Sequence, residues 1–292
     1  MTITDAEIAS QPEVWARALE WGGRARELLR AEGERILLIG CGTSAFIARS
    51  IAVLRESAGL GMTDSAYASE PFAWRDYDRV VAITRSGTTT EVIDALRRVP
   101  SGARTIVITG VAGEPAGEMA DDTLVLDFAD EKSVVQTRFP TTVLLLARQA
   151  FGEAMEPLIQ QAHQALAQPL PFEPGDFRHF VFLGHGWTYG LAQEAALKTR
   201  ESAQAWAEAY PMFDYRHGPL AVAGDHTLVW LLGAYDEQLA NDIRATGATV
   251  VHLPLDPQVE LVQAQRFAVT LAKLRGLNPD TPIHLTRSVV LS

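Results

Sequence analysis

The sequence predicts an α/β protein in which one lobe, built on a parallel central sheet, occurs twice. Three observations carry that expectation. Short apolar, β-branched runs alternate with helical stretches at the spacing of βαβ units. A polar, proline-rich segment at 168–176 interrupts the alternation once. After it the pattern restarts: His179-Phe180-Val181-Phe182-Leu183-Gly184-His185-Gly186-Trp187-Thr188 echoes Ile36-Leu37-Leu38-Ile39-Gly40-Cys41-Gly42-Thr43-Ser44 at an offset of about 144 residues.

Taken in order, residues 1–25 read as an N-terminal helical segment, 26–165 as the first lobe and 176–292 as the second. The strand runs of the first lobe fall at 35–39, 79–83, 104–108 and 123–126. The first three lead into Gly, Ser or Thr residues and then a helix, the connection expected of βαβ units. In the second lobe the runs after 179–184 fall at 227–232 and 248–253. A weaker echo pairs Ala66-Tyr67-Ala68 with Ala205-Trp206-Ala207.

Composition excludes several classes. At 292 residues, with 47% apolar and 21% charged, the chain has the make-up of about two folded domains and not of a disordered or fibrous protein. No apolar run reaches eighteen residues, so no membrane span is expected. The first residues carry neither a basic region nor an apolar core, which argues against a signal peptide and for a cytoplasmic protein. Twenty-five basic against thirty-six acidic residues give a net charge of −11 with no large basic cluster, which argues against nucleic acid. A local nest of amides can still hold phosphate inside an acidic protein. The single cysteine, Cys41, forbids an internal disulfide, and the seven histidines form no metalloprotease-type helical pair. Neither a metal nor a cofactor is expected.

Two turns in the first lobe suggest chemistry. Gly40-Cys41-Gly42-Thr43-Ser44-Ala45 follows a strand and scores as a dinucleotide fingerprint with alanine in the third glycine position. Against that reading, no clear acid ends the next strand, since Asp64 and Glu70 only flank it. Two other readings stand: a cradle whose Thr43 and Ser44 hydroxyls face a ligand, or a small-residue turn that merely packs helix on strand. The second turn, Thr84-Arg85-Ser86-Gly87-Thr88-Thr89-Thr90-Glu91, concentrates hydroxyls and a glycine where a strand meets a helix. Free amides at the helix start, the helix dipole and the hydroxyls together favour an anion. A plain cap needs only one such hydroxyl. No Gly-Lys-Ser/Thr follows, so this is not a nucleoside-triphosphate loop.

With these turns in place, the sequence resembles the double sugar-isomerase (SIS) family, including the isomerase half of glucosamine-6-phosphate synthase and the galactosamine/tagatose-6-phosphate isomerase-deaminase group. Beyond the turns, the resemblance rests on Glu131-Lys132-Ser133-Val134-Val135-Gln136-Thr137, Glu194-Ala195-Ala196-Leu197-Lys198-Thr199-Arg200-Glu201, Arg216-His217-Gly218-Pro219 and Leu285-Thr286-Arg287-Ser288-Val289. It implies two tandem three-layer α/β/α lobes of flavodoxin-like type, related by a pseudo-twofold. It further implies sugar-phosphate contacts from Thr43, Ser44, Ser86, Gly87, Thr88 and Thr89, with Ser133, Val134 and Gln136. The synthase pattern has serine at Gln136 and glutamine at Arg85, so Arg85 either adds a charge-assisted bond to phosphate or points to solvent.

The second lobe offers different groups. Glu194, Lys198 and Glu201 fall at i, i+4 and i+7, on one helical face, where spacing alone reads as a surface ion pair worth a few tenths of a kcal/mol. The resemblance makes them catalytic: Glu201 as the base moving a proton between C1 and C2, Lys198 stabilising the oxyanion, Glu194 holding Lys198 or a substrate hydroxyl. His217, in a turn, would open the sugar ring and reach the neighbouring subunit's site, which implies a homodimer. The loop 232–237 carries two acids and no Ser or Thr, so one phosphate site per chain is expected, in the first lobe. Arg287 stands where the synthase tail has a lysine; an arginine cannot form an imine there but can act as a charged lid. With no N-terminal nucleophilic cysteine, and only about thirty residues before the first strand, neither a glutaminase nor a helix-turn-helix domain is expected. The implied function is an aldose–ketose isomerase of a hexose or aminohexose 6-phosphate, with or without release of ammonia. The alternative is a sugar-phosphate-binding regulatory protein without turnover.

Overall fold

The structure, a computed structural model, describes residues 1–170, 172–175 and 177–291. Pro171 and Asp176 of the expected interruption, the expected start of the second lobe at Asp176 and its end at Ser292 lie outside the described residues. The chain divides into two units. The amino-terminal lobe is Ser10–Ile159 together with the tail from His284; the carboxy-terminal lobe is Gln160–Ile283 together with Met1–Ala9. Each terminus therefore packs in a lobe that the linear boundaries do not give it.

Helix α1 (Ile3–Ala9) opens the chain and belongs to the carboxy-terminal lobe. In the amino-terminal lobe, α2 (Gln11–Ala18) and α3 (Gly22–Ala25) lead to β1 (Ile36–Gly40) and α4 (Thr43–Ser57). There follow β2 (Thr63–Tyr67), β3 (Arg79–Ile83), α5 (Thr90–Arg97), β4 (Arg104–Thr109), α6 (Pro115–Glu118), β5 (Asp122–Val125) and α7 (Arg138–Phe151). The five strands are parallel in the order β2-β1-β3-β4-β5. Strands β1 and β3 are buried at every position, which is why they read as unbroken apolar runs. Leu37, Ile39, Val80, Ala82 and Val107 pack on Val92, Ala95 and Leu96 of α5. The alternate residues Ile36, Leu38, Val81 and Ile83 face the other side, where α4 lies on β1 and beside α7.

After α8 (Glu156–Ala167), the carboxy-terminal lobe runs β6 (His179–Gly184), α9 (Thr188–Ala203), β7 (Trp206–Pro211), β8 (Thr227–Leu232), α10 (Glu237–Arg244), β9 (Thr249–Val251) and α11 (Pro257–Leu274). Its four strands are parallel in the order β7-β6-β8-β9 and repeat the first four strands of the other sheet place for place. One face packs Val181, Leu183, Val229 and Leu231 on Leu239, Ala240 and Ile243 of α10. The other stacks Phe182 and Trp230 with Phe267 of α11, ring centroids about 6 Å apart. The duplication expected from the echo is thus present down to a steric detail. A Cβ on Gly40 would come within 2.7 Å of the Ser44 Cβ, and one on Gly184 would run into the Thr188 carbonyl. Only glycine lets the next helix return so closely over the strand end.

Candidate active site

In the amino-terminal sheet the chain leaves β1 towards β2 on one side and β3 towards β4 on the other. The ends of β1 and β3 are therefore the switch point, where open parallel sheets bind ligands. A cleft of about 30 Å³ lies there. Cys41 and Ser44 enter it from the turn after β1, Thr84, Arg85, Ser86 and Thr89 from the turn after β3, Gln136 from the loop before α7, and Arg287 from the tail. The helix starts at Gly42 and Thr89 carry no side-chain cap, and both aim a positive dipole end at this place. As the turn Ser86–Thr88 tightens, Gly87 adopts φ +71°, and a Cβ there would meet the Glu114 Cβ at 2.6 Å.

Arg85 does not point to solvent. It is 2% exposed, and its guanidinium donates to the Ser133 carbonyl at 2.9 Å and the Arg287 carbonyl at 2.8 Å. It thus ties the loop before α7 and the tail to the cradle while presenting positive charge to the cleft. The tail runs along the same turn. Ser86 Oγ donates to Ser288 Oγ at 3.0 Å, Thr88 Oγ1 and Ser288 Oγ lie 2.9 Å apart, and Thr90 N donates to the Val289 carbonyl. Arg287 Nη2 bonds both oxygens of Asp130, at 2.6 and 2.7 Å, so its charge is paired at the cleft edge.

The loop before α7 is fixed from within. The buried Glu131 carboxylate accepts the Thr137 hydroxyl at 2.7 Å and the Thr137 and Arg138 amides, capping α7. The Ser133 hydroxyl donates back to the Val135 carbonyl at 2.7 Å. Of the expected contacts, Ser44, Arg85, Ser86, Thr89, Gln136 and Arg287 line the cleft, whereas Thr43, Gly87, Thr88, Ser133 and Val134 are not among its lining residues. Two participants are not among the ligand contacts that the resemblance implies. Thr84 Oγ1 is buried at the cleft with no partner among the described residues. Ser288 belongs to the hydroxyl cluster, which no local pattern could reveal because its partners lie 200 and 202 residues away. Burial pushes the Cys41 thiol up to about 11, with the nearby Glu91 carboxylate adding to it.

The other functional group lies wholly in the carboxy-terminal lobe. Glu194 and Lys198 of α9 are buried, 0% and 1% exposed, with Lys198 Nζ 3.5 Å from Glu194 Oε1. Lys198 Nζ also donates to Glu201 Oε2, and the Glu201 side chain remains 19% exposed. A surface ion pair is ruled out by this burial. One buried cation is held between two carboxylates, and only the second reaches solvent. His217 closes the 3-10 segment Met212–His217 and is exposed, just before Gly218 at φ +142°.

Where the first lobe has its cradle, the second is closed by its own carboxyl group. At the end of β8, Gly233 N donates to Glu260 Oε2 at 2.8 Å, and the Trp230 indole donates to Glu260 Oε1 at 2.7 Å. Burial pushes the Glu260 carboxyl up, and these bonds with one from Leu253 N hold that rise back. Asp236 caps α10 by accepting Leu239 N at 2.7 Å.

Residues 28–151 match the family model described as the SIS domain. Over 98% of its length the chain is 29% identical to the glutamine–fructose-6-phosphate aminotransferase (isomerizing) of Methanothermobacter thermautotrophicus. It is 28% identical to that of a Thermus thermophilus strain, over the same share. It spans 57% and 58% of those relatives. Among solved structures, the glucosamine-6-phosphate deaminase of Thermotoga maritima aligns with a TM-score of 0.86 at 27% identity, covering 99% of this chain and 100% of that one. The tagatose-6-phosphate ketose/aldose isomerase of Escherichia coli aligns at 0.82 and 22% identity, covering 98% and 97%, and shares the fold. The chain is thus similar in sequence and fold to the Thermotoga deaminase, and its two parallel sheets match that fold. No helix among the described residues is long and apolar enough to cross a membrane.

Proposed function

We propose that this protein isomerises a hexose or aminohexose 6-phosphate between aldose and ketose, releasing ammonia where the sugar carries an amine at C2. The observation that carries the reading is the Lys198 cation, buried between Glu194 and Glu201 with Glu201 alone reaching solvent. A structural ion pair has no need of a partly exposed carboxylate on a buried lysine, whereas a base needs both access and a fixed orientation. The SIS cleft supports the substrate class. Hydroxyls and Arg85 suit a phosphate group, and a phosphate remote from the reacting carbons supplies positioning energy.

In this scheme His217 protonates the ring oxygen and opens the sugar, serving the neighbouring subunit's site in a homodimer. The Glu201 carboxylate takes the proton from C2 of the aldose, giving a cis-enediol or, for an amino sugar, an enolamine. Return of the proton to C1 gives the ketose, or an imine that water hydrolyses to ketose and ammonia. Lys198, too buried to meet the sugar, orients Glu201. The Thermotoga deaminase and the Escherichia coli isomerase are named for these two outcomes.

The test is incubation with glucosamine, galactosamine and fructose 6-phosphates in heavy water, at pH values from 6 to 9. Deuterium at C1 or C2, or released ammonia, is expected. Glu201→Gln should lower the exchange rate by a factor of about 10² to 10⁴ while leaving binding intact. Tight binding with no exchange anywhere in that range would leave a sensor of sugar phosphate, and unimpaired exchange in Glu201→Gln would remove Glu201 from its role.

A further inference from the structure

We infer that Gln136 reads the sugar and not its phosphate, which makes it a specificity-determining residue of the cleft. This rests on the sugar-phosphate reading above and deepens it.

The polar groups lining the cleft are almost all donors. Ser44, Thr84, Ser86 and Thr89 offer hydroxyls and Arg85 offers a guanidinium, and an ionised phosphate, which only accepts, is served by such a set. Gln136 breaks the pattern. Gln136 lines the same cleft, and its Oε1 is shut off from solvent with no donor among the described residues. A buried carbonyl without a donor costs about 1–3 kcal/mol, and a phosphate oxygen cannot relieve it because both atoms accept. What relieves it is a hydrogen-bond donor carried by the ligand. On a sugar phosphate the donors are the ring or chain hydroxyls and, in an aminohexose, the ammonium.

The backbone holds this acceptor in place. One residue on, Thr137 is fixed to Glu131 through its amide and its hydroxyl. Three residues back, the Ser133 carbonyl accepts from Arg85 at 2.9 Å, and its hydroxyl bonds Val135 at 2.7 Å. The carbonyl is therefore presented on a rigid loop, the condition for a polar group that discriminates and does not merely adapt. The synthase pattern has serine at this position, whose one oxygen both donates and accepts. Glutamine separates the two functions on a longer arm and selects for a donor at a set distance.

The measurement is titration calorimetry of the full chain with inorganic phosphate and with glucosamine, galactosamine and fructose 6-phosphates. Gln136→Leu, similar in size but lacking the acceptor, should leave the inorganic phosphate Kd within about twofold and weaken the preferred sugar phosphate about 10- to 100-fold, since a site built to bond a substrate group suffers when that bond is lost. Gln136→Ser, which suits a chain where the leucine variant fails to fold, should also keep phosphate affinity and flatten the preference among the three sugars. A parallel loss for phosphate and sugar phosphates would make Gln136 a phosphate ligand and overturn the inference, as would unchanged affinities for both. Failure of the wild-type chain to bind any sugar phosphate would instead overturn the proposed function itself.

Discussion

Cys41 lines the cleft as a thiol that burial and Glu91 keep protonated. With its pKa at about 11, roughly one molecule in a thousand carries the thiolate at pH 8, against about a quarter for a free cysteine at about 8.5. Since the thiolate is the nucleophile, alkylation by iodoacetamide at pH 8 should run on the order of a hundredfold slower than for a free thiol and climb about tenfold per pH unit towards 11. Added inorganic phosphate should slow it further, because a second negative charge opposes ionisation. A rate at pH 8 equal to that of a free thiol would contradict the assignment. At this scale the sequence was readable wherever residue type alone decides. A run of hydroxyls at a strand-to-helix turn has few other uses, and Ser44, Ser86 and Thr89 do meet in one cleft. The fate of Arg85 was not readable, because its partners lie 48 and 202 residues away. Spacing put Lys198 on the right helical face, but only tertiary packing makes it buried.

Among the elements, every strand announced itself as an apolar run except β2 and β7, which lie at corresponding edges of the two sheets. β2 and β7 pair on one side only; they carry the exposed Tyr67 and Trp206 and the half-buried Asp64 and Glu208. An edge strand half in solvent gives no unbroken apolar run, so both surfaced in the sequence only as the short Ala-aromatic-Ala echo. Helix α1 shows a different kind of long-range dependence. Its first amides, Ile3 N and Thr4 N, donate to Asp280 at 2.8 Å, as does the Thr4 hydroxyl at 2.7 Å. The capping carboxylate thus comes from the far end of the chain. Burial raises the Asp280 carboxyl, but the bonds from Thr4 and Ile3 outweigh it and hold the group below its ordinary value of 3.8. A depressed carboxyl stabilises the fold above the unfolded value and loses that contribution as pH falls through the folded one. Asp280→Ala should therefore cost about 1 kcal/mol at pH 7, as loss of a helix cap does, and the gap to wild type should narrow below about pH 4. Urea denaturation at the two pH values checks both statements, and a gap that widens in acid would refute the second.

On the scale of the whole molecule, the chain is a duplicated sheet whose copies have diverged at their strand ends, and its termini are exchanged between the lobes. The duplication was legible because glycine at Gly40 and Gly184 is demanded by backbone contact, which survives sequence drift. The exchange of termini was not, because it depends on isolated polar contacts such as those of Asp280 and Ser288. The divergence also appears at the ends of β3 and β8. In one lobe the donors at the strand end face a cleft; in the other the strand-end amide is bonded to Glu260, a residue of the same chain. A covalently attached partner has a fixed effective concentration, whereas a dissolved one acts by mass action and contributes about 2.7 kcal/mol at a hundred times its Kd. Inorganic phosphate should therefore slow amide hydrogen exchange around Thr84–Thr90 and leave Gly233 and Asp236–Leu239 as they were; equal slowing in both lobes would refute the distinction. The carboxy-terminal lobe carries its counterpart as a permanent fitting, and under the proposed function the amino-terminal lobe answers instead to a dissolved ligand.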